Sequence, residues 1–97
     1  RILLLIALIT FSSFSYSDSV YVKYGGQVNL DQFDCRNTVS SFVHRICFKQ
    51  NDNYLVVLLN DTYYHYCGIS NELFNQWISS QSKGRFYNAA IKGKYHC

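Results

Sequence analysis

The sequence contains no proline, no methionine and a single tryptophan, and charged residues make up only 15% of its 97 positions. Because 18% of the residues are aromatic, this scarcity of charge does not indicate a disordered polar chain. A chain of this length holds one small domain at most. Dinucleotide-binding folds, two-domain enzymes and sites that need a large cleft are therefore excluded.

The apolar run near the N-terminus is too short to span a membrane, which takes roughly 20 apolar residues. Arg1 precedes an apolar run at 2–9, and the small residues Ser15 and Ser17 complete a signal-peptide pattern. We expect a signal peptide at 1–17, with no stable membrane span after cleavage; an uncleaved anchor is the alternative. The following residues carry eight basic and six acidic side chains. This mild positive excess favours weak attraction to anionic partners and is far from that of a dedicated nucleic-acid binder.

Four cysteines, Cys35, Cys47, Cys67 and Cys97, follow the predicted leader. An even number in a short exported chain predicts two disulfides, which compensate for a small core. The chain has no C-x₂-C pair, so the spacing argues against a metal site, and we expect no metal and no cofactor. Of the three connectivities, the one that contains Cys47–Cys67 is disfavoured, because these residues fall on the two outer strands of the sheet predicted below. Two connectivities remain open, and we prefer Cys35–Cys47 with Cys67–Cys97. Disulfides and leader together predict a secreted or periplasmic protein.

Three β-prone segments predict an antiparallel meander. They are residues 42–48, 54–59 and 62–67, separated by a polar turn and by the two-residue turn Asn60-Asp61. That turn sets a register with three pairs on one face of the sheet: Leu59–Thr62, Val57–Tyr64 and Leu55–Tyr66. The opposite face is also apolar, so both faces need a cover.

A helix is predicted after the third strand, since Ser70 is a suitable N-cap and Glu72 complements the helix dipole. Its apolar stripe comprises Leu73, Phe74, Trp77 and Ile78. We expect this helix to end before Gly84, which would act as its C-cap. The predicted fold is therefore a small α+β domain: a three-stranded antiparallel meander with one main helix packed on one face and two disulfides. Residues 20–33 are expected to cover the other face.

Three sequence motifs resemble those of the KTSC domain family. They are Ser40-Ser41-Phe42-Val43, the Tyr-x-Tyr of Tyr64 and Tyr66, and a Ser-x-Gly-x-aromatic-aromatic-Asn segment formed by Ser82, Gly84, Phe86, Tyr87 and Asn88. The family is named for the C-terminal domain of some lysyl-tRNA synthetases, and its molecular role is not established. The resemblance implies a KTSC-like domain at 38–97, preceded by an extension at 18–37. The synthetase context suggests RNA binding, although an exported protein rarely meets tRNA.

The C-terminal part of the chain is a candidate binding surface. Lys83, Arg85, Lys92 and Lys94 bring four positive charges into a short stretch without an acidic residue, next to Tyr87 and Asn88. Such a patch could bind a nucleic acid, an anionic envelope polymer or another protein, or it could be an ordinary solvated surface. Tyr64 and Tyr66 could form a stacking platform, but packing against the predicted helix is the preferred interpretation.

A small secreted hydrolase of ribonuclease type is the alternative function. General acid–base cleavage needs two titratable groups within reach of one scissile phosphate. The spacing of His44, His65 and His96 does not bring two histidines together, because His65 falls on the face opposite Tyr64 and Tyr66. The sequence therefore favours a non-enzymatic binding module, without identifying its ligand.

Overall fold

The computed structural model describes residues 18–97, so the predicted signal peptide lies outside the described residues. Six strands are followed by two short helices and a π-helical turn. The strands are β1 (Ser19–Val22), β2 (Gly26–Asn29), β3 (Asp34–Asn37), β4 (Val43–Lys49), β5 (Tyr54–Leu59) and β6 (Thr62–Cys67). The helices are α1 (Asn71–Ser79) and α2 (Lys83–Phe86), with the π-helical turn at Tyr87–Ile91 and a 3₁₀ turn at Gln50–Asp52.

The six strands form one mixed sheet in the order β2-β1-β6-β5-β4-β3. The prediction of a three-stranded meander with one main helix is therefore wrong. The meander β4-β5-β6 is present at the centre, but the extension adds strands at both edges. β3 pairs antiparallel with β4, and β1 pairs parallel with β6 through Val22 and Tyr63. β3 obtains its hydrogen bonds from the meander, whereas β2 pairs with β1, which joins the meander at β6.

The register predicted from the Asn60-Asp61 turn is confirmed. Leu59 lies opposite Thr62, Val57 opposite Tyr64, and Leu55 opposite Tyr66. Asn60 adopts the left-handed conformation with φ 53°, which asparagine tolerates better than most residues. The pairing between β4 and β5 shifts at Val43–Arg45, where β4 contains an irregularity.

The helices cover one face of the sheet, as expected for the first of them. α1 begins with Ser70, whose Oγ accepts a hydrogen bond from the amide of Leu73 at 3.0 Å. Its Trp77 and Phe74 are buried, and Phe74 stacks on Phe48 with the ring centroids 4.6 Å apart. The predicted helix end is wrong, because α1 stops at Ser79 and a separate helix begins after Ser82. Gly84 lies inside α2 and is therefore not a C-cap.

The opposite face carries a second, smaller apolar cluster that includes residues of the extension. Val22, Leu30, Cys47 and Val56 form its buried centre. Val20, Val28 and Phe33 pack around it. The extension thus contributes to the cover of this face, as expected, although much of it does so as strands of the sheet.

Both predicted disulfides are present, and the structure contains no free cysteine among the described residues. Cys35 lies directly opposite Cys47 across β3 and β4. Cys67 binds Cys97 and so attaches the C-terminal tail to β6, where the amide of Cys67 also donates to the carbonyl of Tyr95. Two such bonds indicate an oxidising environment, extracellular or periplasmic. Within residues 18–97, no helix has the length and apolarity required to cross a membrane.

Candidate functional site

Two adjoining clefts open on the helical side of the sheet, and together we call them the motif groove. The serine cleft, of about 340 Å³, is lined by residues 39–42, residues 81–85 and Asn88. The tyrosine cleft, of about 420 Å³, is lined by Phe42, Leu59, Asn60, Tyr64, Tyr66, Tyr87, Asn88 and Lys92. Phe42 and Asn88 belong to both clefts. The three sequence motifs, which are distant along the chain, therefore meet at one groove.

The wall formed by residues 39–42 is held by hydrogen bonds on both sides of Phe42. Ser40 Oγ accepts from the amide of Val43 at 3.2 Å, which closes a serine turn at the start of β4. The amide of Asn60 donates to the carbonyl of Phe42 at 2.7 Å and joins this wall to the β5–β6 hairpin. The backbone of the groove wall is therefore fixed before any ligand binds.

The facing wall is built on α2. Ser82 Oγ accepts from the amide of Arg85 at 3.2 Å and caps the helix, while Trp77 Nε1 donates to the carbonyl of Lys83 at 3.0 Å. Gly84 is buried against Phe42, and a Cβ at this position would lie 2.6 Å from Phe42 Cε1. Only glycine allows the two walls to approach so closely.

Arg85, Asn88 and Lys92 form one stripe along the groove. They are three and four residues apart, and the two clefts that they line share Asn88, so the three residues follow one another along the groove. The π-helical turn at Tyr87–Ile91 lies between Arg85 and Lys92, and the amide of Lys92 donates to the carbonyl of Tyr87 at 2.8 Å. All three residues are exposed. The structure thus brings together three of the residues that the sequence predicted for ligand binding.

The two tyrosines of the Tyr-x-Tyr motif differ in their environment. Tyr66 packs against the main core, and its hydroxyl lies 2.6 Å from that of the buried Tyr87. Burial, together with this hydrogen bond, raises the pKa of Tyr66 well above its ordinary value. Tyr64 is half-buried in the wall of the tyrosine cleft, and Lys23 Nζ lies over its ring, 5.9 Å from the centroid. Core packing therefore accounts for Tyr66 and Tyr87, whereas Tyr64 is accessible from the groove.

The cations predicted for binding are not equally available. Lys83 Nζ donates to the carbonyl of Ser80, and Lys94 Nζ donates to the carbonyl of Ala89. Lys94 lines neither cleft, while Lys83 lines the serine cleft. Arg85 and Lys92 make no side-chain hydrogen bond or ion pair with residues 18–97 and are the cations free to meet a ligand.

The acidic residues that form ion pairs lie outside the groove. The three ion pairs of the described chain are Arg36–Asp34, Arg45–Asp18 and Lys49–Asp52. The Arg36 hydrogen bond lowers the pKa of Asp34. None of the residues 18–97 that line the motif groove is acidic. The groove is therefore a locally positive surface on a chain whose overall charge is small.

Sequence reasoning missed the residues that the first motif and the hairpin contribute to the groove. Ser40, Ser41 and Phe42 carry the family resemblance but are not predicted as site residues, and the sequence predicts Asn60 as a turn residue rather than a groove residue. Their positions depend on pairing between distant segments. A hydrogen bond such as that between Asn60 and Phe42 leaves no local pattern in the sequence.

The histidines lie apart from the groove. His65 Nδ1 is 2.7 Å from the hydroxyl of Tyr54, and a Cβ on Gly25 would contact the imidazole ring. His96 Nε2 lies 3.2 Å from the carbonyl of Gly93. Among residues 18–97 there is no group of three or more His, Cys, Asp or Glu side chains placed to hold a metal ion.

These features define a small, disulfide-bonded, mostly β domain with an open polar groove above a mixed sheet. The family model of the KTSC domain matches residues 39–95, and the chain belongs to this family. The crystal structure of a KTSC domain protein from Yersinia pestis is similar, with a TM-score of 0.63 and 27% sequence identity over 67% of this chain and 93% of that chain. Among curated proteins, none matches the chain. The molecular function of the family is unknown, so the fold relationship assigns no ligand.

Proposed function

We propose that the protein is a secreted or periplasmic, non-enzymatic binding module that holds an anionic polymer in the motif groove. The proposal rests on one observation: Arg85, Asn88 and Lys92 are exposed along the motif groove, and none of the described residues that line this groove is acidic. A nucleic acid, an anionic envelope polymer and an acidic protein segment all have the required charge. Binding needs only that the groove be accessible and positively charged.

The availability of the two cations supports binding rather than a purely structural role. Arg85 and Lys92 are exposed, whereas several motif side chains serve the fold, such as Ser82 in its cap and Tyr87 in the core. A free guanidinium forms paired hydrogen bonds with carboxylate or phosphate oxygens. The half-buried Tyr64 adds an aromatic surface beside Lys92.

A ribonuclease-type hydrolase has weaker support. His65 is engaged with Tyr54, and neither His44 nor His96 lines either cleft of the motif groove. A histidine acting on a ligand bound in the groove would have to lie within hydrogen-bond distance of it. We therefore propose no reaction for this site.

Fluorescence anisotropy with labelled anionic polymers tests the proposal on the chain comprising residues 18–97 with its disulfides intact. We expect the variants Arg85→Gln and Lys92→Gln each to weaken binding about three- to tenfold, since an exposed charge-assisted contact is worth about 1 kcal/mol. Both should also reduce the dependence of affinity on salt concentration. Lys49→Gln is the control for net charge, because it removes one positive charge outside the groove, where Lys49 pairs with Asp52.

Equal effects of Lys49→Gln and Lys92→Gln would show that net charge alone determines binding and would contradict the proposed site. Incubation of the protein with RNA provides a separate test of the hydrolase. Cleavage that is lost in His65→Ala or His44→Ala would contradict a non-enzymatic function.

A further inference from the structure

We infer that the polymer bound in the motif groove is an acidic polysaccharide with widely spaced carboxylates; this inference rests on the proposed function. Its basis is the composition of the groove. Neutral hydroxyl and amide groups outnumber the three cations that line the groove, and the two cations whose side chains make no hydrogen bond within residues 18–97, Arg85 and Lys92, line different clefts. A ligand matched to this surface must combine many hydrogen-bonding groups with a low density of negative charge.

The two cations lie in different parts of the groove. Arg85 lines the serine cleft, and Lys92, seven residues later and beyond the π-helical turn, lines the tyrosine cleft. A nucleic acid carries a phosphate on every nucleotide, so a strand lying along both clefts would also place phosphates beside Asn88 and the other neutral lining residues. A polysaccharide in which acidic sugars alternate with neutral ones places its carboxylates at wider intervals. The groove therefore matches a polysaccharide of this kind, whose charge density is lower than that of a nucleic acid.

Asn88 lies between the two cations and belongs to both clefts. Its exposed amide offers two donors and an acceptor, and its side chain makes no hydrogen bond with the described chain. Neighbouring hydroxyls of a sugar ring both donate and accept, so they can bind a carboxamide with paired hydrogen bonds. A neutral amide at the centre of the stripe suits a neutral sugar held between two acidic ones.

The other lining residues place neutral hydrogen-bonding groups at each end of the motif groove. Ser41 and Gln81 are exposed in the serine cleft beside Arg85, and both are neutral hydrogen-bonding groups. In the tyrosine cleft, Tyr64 and Asn60 lie beside Lys92. The face of a phenol ring packs against the C–H groups of a pyranose, and its hydroxyl bonds at the edge. Both ends can thus hold a carboxylate next to a ring with hydroxyl groups.

The test measures binding of residues 18–97 to four probes: a hyaluronan decasaccharide, single-stranded RNA, poly-glutamate and neutral dextran. We expect the tightest binding to hyaluronan, whose carboxylates lie on alternate sugars. Asn88→Ala and Tyr64→Leu should each weaken that binding at least fivefold. Asn75→Ala, on the outer face of α1, and Tyr21→Leu, on β1, are matched controls that should change it less than twofold.

The outcomes separate this inference from the proposed function. Tighter binding to RNA or poly-glutamate than to hyaluronan would overturn the polysaccharide assignment but retain an anion-binding groove. Equal binding of dextran and hyaluronan would overturn the role of the carboxylates. Failure to bind any of the three anionic probes would contradict both proposals. Thermal unfolding of each variant identifies a loss of binding that follows from a loss of folding.

Discussion

Replacement of Gly84 by alanine is a direct test of the contact between α2 and Phe42. The added Cβ would lie 2.6 Å from Phe42 Cε1 and 3.1 Å from Cζ. The first distance is too short for two carbon atoms, so the ring or the helix must move. Phe42 also packs edge-on against Tyr87, with the centroids 6.0 Å apart, which limits the movement of the ring.

Two opposing terms determine the change in the free energy of unfolding. Alanine in a helix is favoured over glycine by about 1 kcal/mol. Overpacking a well-filled site costs about 1–3 kcal/mol. Gly84 does not have a positive φ, so backbone strain adds nothing. We therefore expect Gly84→Ala to destabilise the protein by about 1 kcal/mol, or about 4–8 °C in Tm for a domain of this size.

Urea denaturation with the disulfides intact measures this change, and an unchanged m-value would show that the unfolded state is not altered. The control is Phe42→Leu, which removes the two ring atoms that the Cβ would meet. In that background Gly84→Ala should be neutral or stabilising by up to about 1 kcal/mol, which gives a coupling of about 1–2 kcal/mol. If Gly84→Ala stabilises the otherwise unaltered protein, helix propensity dominates and the close approach does not constrain position 84.

Other consequences follow from the contacts of single side chains. Folding raises the pKa of Tyr66, so the stability that this residue contributes should be fully present below about pH 10 and fall above it. In Tyr66→Phe, Tm should therefore fall less steeply with pH above this value than in the unaltered protein, by a difference of up to about one proton. Equal slopes in the two proteins would contradict the burial of the Tyr66 hydroxyl. Ser70→Ala should destabilise the protein by about 1 kcal/mol in urea denaturation, since it removes the cap of α1. Loss of the Cys67–Cys97 bond in the double serine variant should cost about 4 kcal/mol by the chain-entropy model for its sequence separation of 30. Urea denaturation measures this cost, and an unchanged free energy of unfolding would contradict that model.

The parts of the fold that local chemistry determines were predictable. The Asn60-Asp61 turn and the alternation of side chains set the register of β5 and β6. The meander order excluded a Cys47–Cys67 bond because β5 lies between those residues. The N-cap at Ser70 marked the start of α1. Each of these inferences used residues close in sequence, or the geometry of consecutive strands.

The errors have a common physical origin. β1, β2 and β3 have four residues each, too few for alternation to distinguish a strand from a coil. The parallel pairing of β1 with β6 joins segments about forty residues apart, and such pairings are fixed by tertiary packing. The end of α1 was misplaced because Gly84 fits a C-cap pattern, whereas its role is close packing against Phe42.

The groove separates motif residues that maintain the fold from residues that are free for a ligand. Ser82 caps α2, Gly84 admits Phe42, and Tyr66 and Tyr87 share a buried hydrogen bond, so folding alone accounts for these side chains. Substitutions at these positions change stability as well as the shape of the groove, so a loss of binding in such variants would not by itself identify a contact with the ligand. Arg85, Asn88 and Lys92 are exposed and can be changed without removing any contact within the core. Because six of these seven residues lie in one segment, at 82–92, only the structure distinguishes the positions at which a mutation reports on the ligand.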